Sequence, residues 1–406
     1  MNSSLSEDHS NLIGVGTNLS KYLSLVADAR DAFGAQQCSS ERNDSLLLAE
    51  IGAAHCYPQP SSKFNQSRLN HNPSDNATLT ISLYQTYYGN AARDVNDAWK
   101  SCRRPCLEIG VANDVDAAAS ADVVNIVMQG SHSIPWKRPA HQIWVGVYFE
   151  SPGHTPFQDK EDFNLTLGFR ADSDFPIFGM AFDTFQHYEG LLPNALRVKD
   201  FTLPTFEAKN ASDMAMMSVW ISNCGMETSG RIRILNELAS HGVTYASYGG
   251  CQHTHSPQEA RSTLLTEWRG LPADGGAEKI AVSTKHLFLY AAENSVYPWY
   301  ITEKVFHGLA AGSVPVYIGD SVHLKHMAPP NSIIYADDFE SVEALATHVK
   351  YVARDPALYE KYLEWRHQPG GVDNVNRVLA LELWKKEHGS EYACALCEFL
   401  HLVAGK

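Results

Sequence analysis

Between Met214 and Asp338 the chain alternates short, unbroken apolar runs with segments of helical period, and that alternation leaves few folds open to it. The runs MAMMSVWIS (214–222), VTYASYGG (243–250), KHLFLYAAE (285–293), VPVYI (314–318) and SIIYADD (332–338) have strand length. Most are apolar at successive positions, as a strand covered on both faces requires. Between them lie SGRIRILNELASHG (229–242), a helix near Ser256–Trp268, and a helix after Thr302, where Val305, Phe306, Leu309 and Ala310 recur at helical spacing. The pattern predicts a parallel sheet with crossover helices. Downstream, residues 340–367 read as two helices divided at Pro356.

An earlier half repeats the theme, with strands predicted in ADVVNIVMQ (121–129), HQIWVGVYFES (141–151) and FNLTLGFR (163–170). LPTFEAKNASD (203–213) has the composition of a linker. Residues 1–78, rich in Ser, Asn, Gln and His, read as a flexible stem with one helix around 19–32, and order begins near ATLTISLYQTYY (77–88). The expected organisation is therefore a stem at 1–78, an α/β domain at 79–205, a second at 213–350, and C-terminal helices at 351–406. Two such domains would face a cleft. In open α/β sheets ligands bind beyond the carboxyl ends of the strands, here the loops after Ile221, Tyr248 and Glu293.

Composition narrows the function. At 406 residues and 44% hydrophobic the chain can bury two cores, and its net charge of −14 argues against nucleic acid or an anionic membrane as the main partner. It contains no apolar run long enough to span a bilayer and no signal-peptide pattern at its N-terminus. Against a cytosolic setting stand Asn-x-Ser/Thr sequons at Asn2, Asn18, Asn43, Asn65, Asn76, Asn164 and Asn210. Eight cysteines, with Cys102/Cys106, Cys224/Cys251 and Cys394/Cys397 in close settings, fit an oxidising lumen. The Cys394–Cys397 pair looks like half a zinc site but finds no second pair at suitable spacing, so a local or longer-range disulfide is the better account. Cys224 and Cys251 end neighbouring predicted strands and make a candidate bridge.

Three loops carry candidate chemistry. In YITEKVF, Tyr300 and Thr302 stand at a helix entrance, with Glu303 and Lys304 in its first turn. A cation there opposes the helix dipole unless an anion visits. In ISNCGMETSGRIRIL, Ser222 and Asn223 end a strand and Arg231 opens the next helix, the same design a second time. Two such sites suit a pyrophosphate, although on spacing alone each charge also reads as an ordinary solvated helix residue. In YFESPGH, Glu150 ends an apolar strand and is placed as a general base, a role that His154 could equally fill by position. Asp172 and Asp174 form an Asp-x-Asp that reads better as a polar turn than as a metal site. No P-loop, dinucleotide fingerprint or hydrolase elbow is present.

The stretch ENSVYPWYITEKVFHGLAAGSVPVYIGD (293–320) resembles the signature of family 10 α-1,3/4-fucosyltransferases. CRRPC with SADVVNI (102–126), WVGVYFESPGHTPF with FNLTLGFRADSD, SNC with RIRILNEL, YGGC and the C-terminal C-x-x-C resemble further landmarks in family order, over about residues 95–400. ISNCG, SYGGC and LEWRH look closest to plant-type core α-1,3-fucosyltransferases of N-glycans.

The resemblance implies a GT-B fold, GDP-fucose as donor, inversion at the anomeric carbon, and no required cofactor, with Mn2+ a stimulant in some members. It implies Glu150 as the base, Arg231 and Lys304 on the departing pyrophosphate, and Ser222, Asn223, Tyr248, Asn294, Tyr300 and Glu303 as donor-binding positions. It also implies an N-glycan acceptor on glycoproteins and a Golgi-lumenal type II protein, held to the membrane only by an anchor absent from this chain. The chain departs from the family at Ala292, where a Phe is usual, with an aromatic shifted to Tyr290. Other functions compatible with the pattern are a Lewis-type enzyme acting on lactosamine, another sugar-nucleotide transferase, and a silent glycan- or nucleotide-binding protein.

Overall fold

The computed structural model describes residues 78–84, 102, 105–110, 114–127, 134–148, 150–151, 163–169, 173, 175–176, 204–210, 215–225, 228–257, 275–367, 394, 397 and 400–401. The stem and its helix, His154, Asp172, Asp174 and nearly all of the helix expected at 256–268 lie outside these residues. The described residues fall into two compact units: those up to 176 together with 394–401, and those from 204 to 367.

The first unit is a six-stranded sheet. Its strands are β1 (Leu79–Tyr84), β2 (Cys106–Glu108), β3 (Val123–Val127), β4 (Ile143–Tyr148), β5 (Leu165–Gly168) and β6 (Phe175–Pro176), in the order β2-β1-β3-β4-β5-β6 with every pairing parallel. The three strands expected from the sequence are present; β1, β2 and β6 were not anticipated. Short helix α1 (Val115–Ser120) crosses from β2 to β3, its N-terminus capped by the side chain of Asp114. Buried Gln142 stands just before β4. Its amide donates to Ala118 and Ala121 carbonyls at 2.8 Å, and its oxygen accepts from the indoles of Trp136 and Trp144.

Of the local and longer-range pairings left open for the C-terminal cysteines, the structure has the longer-range one. Cys102 bonds Cys394 and Cys106 bonds Cys397, so the C-terminal C-x-x-C is covalently part of the first unit. Both pairs are buried, and His401 Nε2 donates to Pro105 O beside them. The sulfurs of Cys106 and Cys397, grouped with His401, are thus spent on each other and offer no thiolate to a metal.

The second unit is a five-stranded parallel sheet: β7 (Met217–Val219), β8 (Tyr245–Ser247), β9 (Phe288–Ala292), β10 (Val314–Ile318) and β11 (Ile334–Tyr335), in the order β11-β10-β9-β7-β8. Its helices are α2 (Phe206–Lys209), α3 (Arg231–Ser240), α4 (Gly275–Ser283), α5 (Glu303–Ala311), α6 (Ser321–Met327), α7 (Val342–Val352) and α8 (Pro356–Lys361). The chain order reverses between β7 and β9, which makes their carboxyl ends a topological switch point. Every residue of β7, β9 and β10 is buried, so both faces are covered, as the continuous apolar runs require. Ile234, Leu235 and Leu238 of α3 meet Leu345, Val349 and Val352 of α7 in one core cluster. Pro356 opens α8 at its first turn, where its missing N–H costs nothing. The linker-like stretch is not a linker: it holds α2, whose Lys209 is 1% exposed. Among the described residues no helix is long and apolar enough to cross a membrane.

Candidate active site

The loops after β7 and β9 meet at the switch point, and they are tied together. Thr228 and Ser229 backbone N–H groups donate to Asn294 O at 2.8 and 3.3 Å, and Ser229 Oγ donates to Glu293 O at 2.6 Å. Helix α3 begins immediately afterwards. Its N-cap is Gly230 at φ 68°, a left-handed conformation open to glycine, and no side chain caps it. Arg231, its first residue, is 4% exposed and not a solvated helix charge. Its guanidinium donates to Asn223 O at 2.9 Å and to Ala292 O at 3.4 Å. Tyr290, the shifted aromatic, is buried and donates from its hydroxyl to Arg231 O at 2.7 Å.

The neighbouring helix α5 has Thr302 at its N-cap position, but the hydroxyl does not cap it. Instead it donates to Glu293 Oε2 at 2.7 Å, while Thr302 N–H donates to Glu293 Oε1 at 2.8 Å. The first turn of α5 is therefore not capped by the Thr302 side chain. Lys304 Nζ lies 2.9 Å from Glu293 Oε2, 2.6 Å from Thr302 Oγ1 and 3.8 Å from Glu303 Oε1. The acid nearest Lys304 is thus Glu293, fully buried at the end of β9, with its chain neighbour Glu303 farther off. Burial pushes the Glu293 carboxyl up, Lys304 pulls it back, and the net shift is upward. Burial depresses Lys304, but Glu293 and Glu303 outweigh it and hold the ammonium charged, while Arg231 lies near enough to oppose them. Burial also acts against the charge on Glu303, yet Lys304, His307 and Lys279 draw its pKa down to about 2. Two cations and two carboxylates thus share one small region, and both cations sit at the start of a helix.

The remaining candidates lie around this centre. Ser222 and Asn223 are exposed on the loop after β7, Asn294 is half-buried, and Tyr300 is 2% exposed. The loop after β7 is locked to the loop after β8 by the Cys224–Cys251 bridge that the sequence suggested. Gly249 permits it, because a methyl group there would collide with the Ile221 backbone. Tyr248 stacks on Trp220 with centroids 4.9 Å apart, and its hydroxyl bonds His286 Nε2 at 2.9 Å. His286 Nδ1 faces Ala215 O at 2.8 Å, and burial lowers this imidazole's pKa to about 4, so it stays neutral with Nε2 as acceptor. Glu150 belongs to the other unit, two residues past β4 and half-buried. Reasoning from sequence placed Thr302 at the helix entrance but gave no site role to Glu293, Thr302 or Ser229. Only the position of Glu293 at the end of an apolar strand could have signalled it.

Known proteins agree in one direction. Residues 77–178 match the family described as "Fucosyltransferase, N-terminal", and residues 210–405 match "Glycosyltransferase family 10 (fucosyltransferase) C-term". Human alpha-(1,3)-fucosyltransferase 4 is 31% identical over 267 residues, 64% of this chain and 43% of that protein. The bovine 4-galactosyl-N-acetylglucosaminide 3-alpha-L-fucosyltransferase 9 is 28% identical over 250 residues, 61% of this chain and 57% of that protein. The chain thus spans about half the length of these relatives. A solved α1,3-fucosyltransferase with GDP-fucose aligns with a TM-score of 0.45 at 15% identity, covering 84% of this chain and 96% of that one.

Proposed function

Because the chain belongs to glycosyltransferase family 10, the fucosyltransferases, we propose that it transfers L-fucose from GDP-β-L-fucose to O3 of an N-acetylglucosamine residue with inversion at the anomeric carbon. The observation that carries this is the pairing of Arg231 and Lys304 at helix starts on the two loops flanking the switch point, tied by Asn294 and Ser229. That is where an α/β sheet binds a phosphorylated ligand. In the displacement Glu150 takes the proton of the acceptor hydroxyl as its oxygen bonds to C1 of fucose. The bond from C1 to the β-phosphate oxygen breaks, and negative charge grows on GDP. Fixed cations and helix N-termini beside that charge lower the barrier most. Glu303, ionised at neutral pH, accepts hydrogen bonds from donor hydroxyls.

An oxidising lumen belongs to the same proposal, supported by three disulfides among the described residues. We place it in the Golgi, with glycoproteins as acceptors. The core GlcNAc of N-glycans is the acceptor that the ISNCG, SYGGC and LEWRH motifs favour. The name of the bovine relative favours galactosylated GlcNAc instead, and keeps a lactosamine acceptor as the second candidate.

Labelled GDP-fucose offered with core N-glycan and with lactosamine acceptors tests both. Transfer to neither, or transfer from a different sugar nucleotide only, overturns the proposal. Glu150→Gln is expected to keep GDP affinity and to lose transfer by about 10²- to 10⁴-fold; wild-type turnover in that variant removes Glu150 as the base.

A further inference from the structure

The segment between Glu293 and Thr302 is pinned at its ends by one carboxylate, since Glu293 accepts both Thr302 N–H and Thr302 Oγ1–H. Its tip is pinned by another. Tyr297 O accepts Tyr300 N–H at 3.0 Å, closing a four-residue turn with Pro298 second and Trp299 third. Trp299 has φ 62°. Proline second and a left-handed third residue are the pattern of a type II turn, whose third place is ordinarily glycine. For a side chain as large as tryptophan this backbone is strained, and it persists only where the surroundings over-determine it.

The surroundings are supplied from the next strand. Asp320 stands two residues past β10, 7% exposed, at the N-cap of α6. Its Oδ2 accepts Trp299 N–H at 2.5 Å and also faces His323 Nδ1 at 2.5 Å. The His323 ring packs on the Trp299 ring, centroids 4.5 Å apart. One carboxylate thus fixes both the strained backbone and the ring that rests against it. Tyr300, Thr302, Glu303 and Lys304 follow directly, so the tip sets the path by which the chain enters α5.

We propose that Asp320 is a positioning residue for donor binding: through Trp299 it holds the 297–300 turn in its strained form and so fixes Lys304 and the α5 N-terminus for the diphosphate. This rests on the GDP-fucose function proposed above. Asp320 is not required to touch the donor. Glycine at 299 would take the same backbone without strain and would no longer need the carboxylate.

The test compares Asp320→Ala, Asp320→Asn and Trp299→Gly, by hydrogen exchange of peptides covering 294–302 and by donor kinetics. Asp320→Ala is expected to speed exchange at 299–302 and to raise KM for GDP-fucose about tenfold, with kcat falling as well because Lys304 acts on the leaving GDP. Asp320→Asn keeps an acceptor oxygen and recovers most of that loss. On the Trp299→Gly background, Asp320→Ala adds little further. Unchanged exchange in Asp320→Ala overturns the pin, even if that variant is otherwise weakened. Faster exchange with unchanged KM, or an equal Asp320→Ala effect on both backgrounds, overturns the positioning role. Wild-type protein that fails to bind GDP at all would instead overturn the functional proposal, which calorimetry on wild type alone decides.

Discussion

Lys304 stands where a cation opposes the helix dipole, and the fold offsets that cost with a carboxylate from outside the helix. Glu293 accepts from Thr302 and from Lys304, and it is fully buried. A buried ion pair stabilises little by itself, but removing one partner strands the other. Glu293→Gln should therefore cost about 3 kcal/mol of stability, as Lys304 loses its counter-charge in a poorly hydrated place. The double variant Glu293→Gln/Lys304→Met should recover most of that stability and still fail to bind GDP. Denaturant unfolding and calorimetry on both variants check this; a double variant no more stable than the single would sink the pairing account. Lys304 and Arg231 were legible in the sequence because a cation at a helix start is locally unfavourable, and so asks for a ligand. Glu293 was not, since a carboxylate after a strand has many bland explanations and its partner nine to eleven residues on appears only when the segment folds back.

At the scale of elements, the same helix is held at both ends. Its C-terminus, closed by Gly312 in the left-handed region, meets Lys209 Nζ, which donates to Gly312 O at 2.5 Å. Tyr359 Oη donates to Leu287 O at 3.0 Å and lies 3.2 Å from Gly312 O, and Arg366 donates to Leu309 O at 3.0 Å. Burial first, and the charge of Arg366 second, lower Lys209 to about 7. Between that value and the ordinary lysine range the unfolded chain keeps a proton that the folded chain has released. Stability from this group therefore rises with pH from about 7 to about 10, by roughly 1 kcal/mol per unit, and is lost as pH falls through 7. Urea titrations at several pH values should show that slope in the wild type and a flatter one in Lys209→Met. Equal slopes would mean that Lys209 titrates normally. Strands with unbroken apolar runs were legible because two covered faces leave no alternation. The short strands β2 and β6 and helix α2 were not, because two to four residues carry no period and their pairing comes from the sheet around them.

For the whole molecule, the consequential covalent fact is where the C-terminal cysteines go. Their sequence separations from Cys102 and Cys106 are 292 and 291 residues, so every described residue of the second unit lies inside the loop they close. Spacing alone left both a local and a long-range pairing open, since four adjacent thiols in two clusters admit several connectivities. Closing a loop of that length removes about 5–6 kcal/mol of unfolded-chain entropy in the loop-entropy treatment. The second bridge then spans only the few residues separating the paired cysteines, a loop of about eight, and adds about 2–3 kcal/mol. The two bridges are thus strongly non-additive. Either Cys102→Ala/Cys394→Ala or Cys106→Ala/Cys397→Ala should cost only that smaller amount, because the surviving bridge still closes the long loop. Removing all four should cost about 8 kcal/mol and release the C-terminal C-x-x-C from the first unit. Exchange of β3 and β4 amides under increasing urea reports the first unit separately from the second. A four-cysteine variant whose loss equals the sum of the two pairwise losses would show that the long loop is already compact when unfolded, and that the bridges stabilise by native contacts alone.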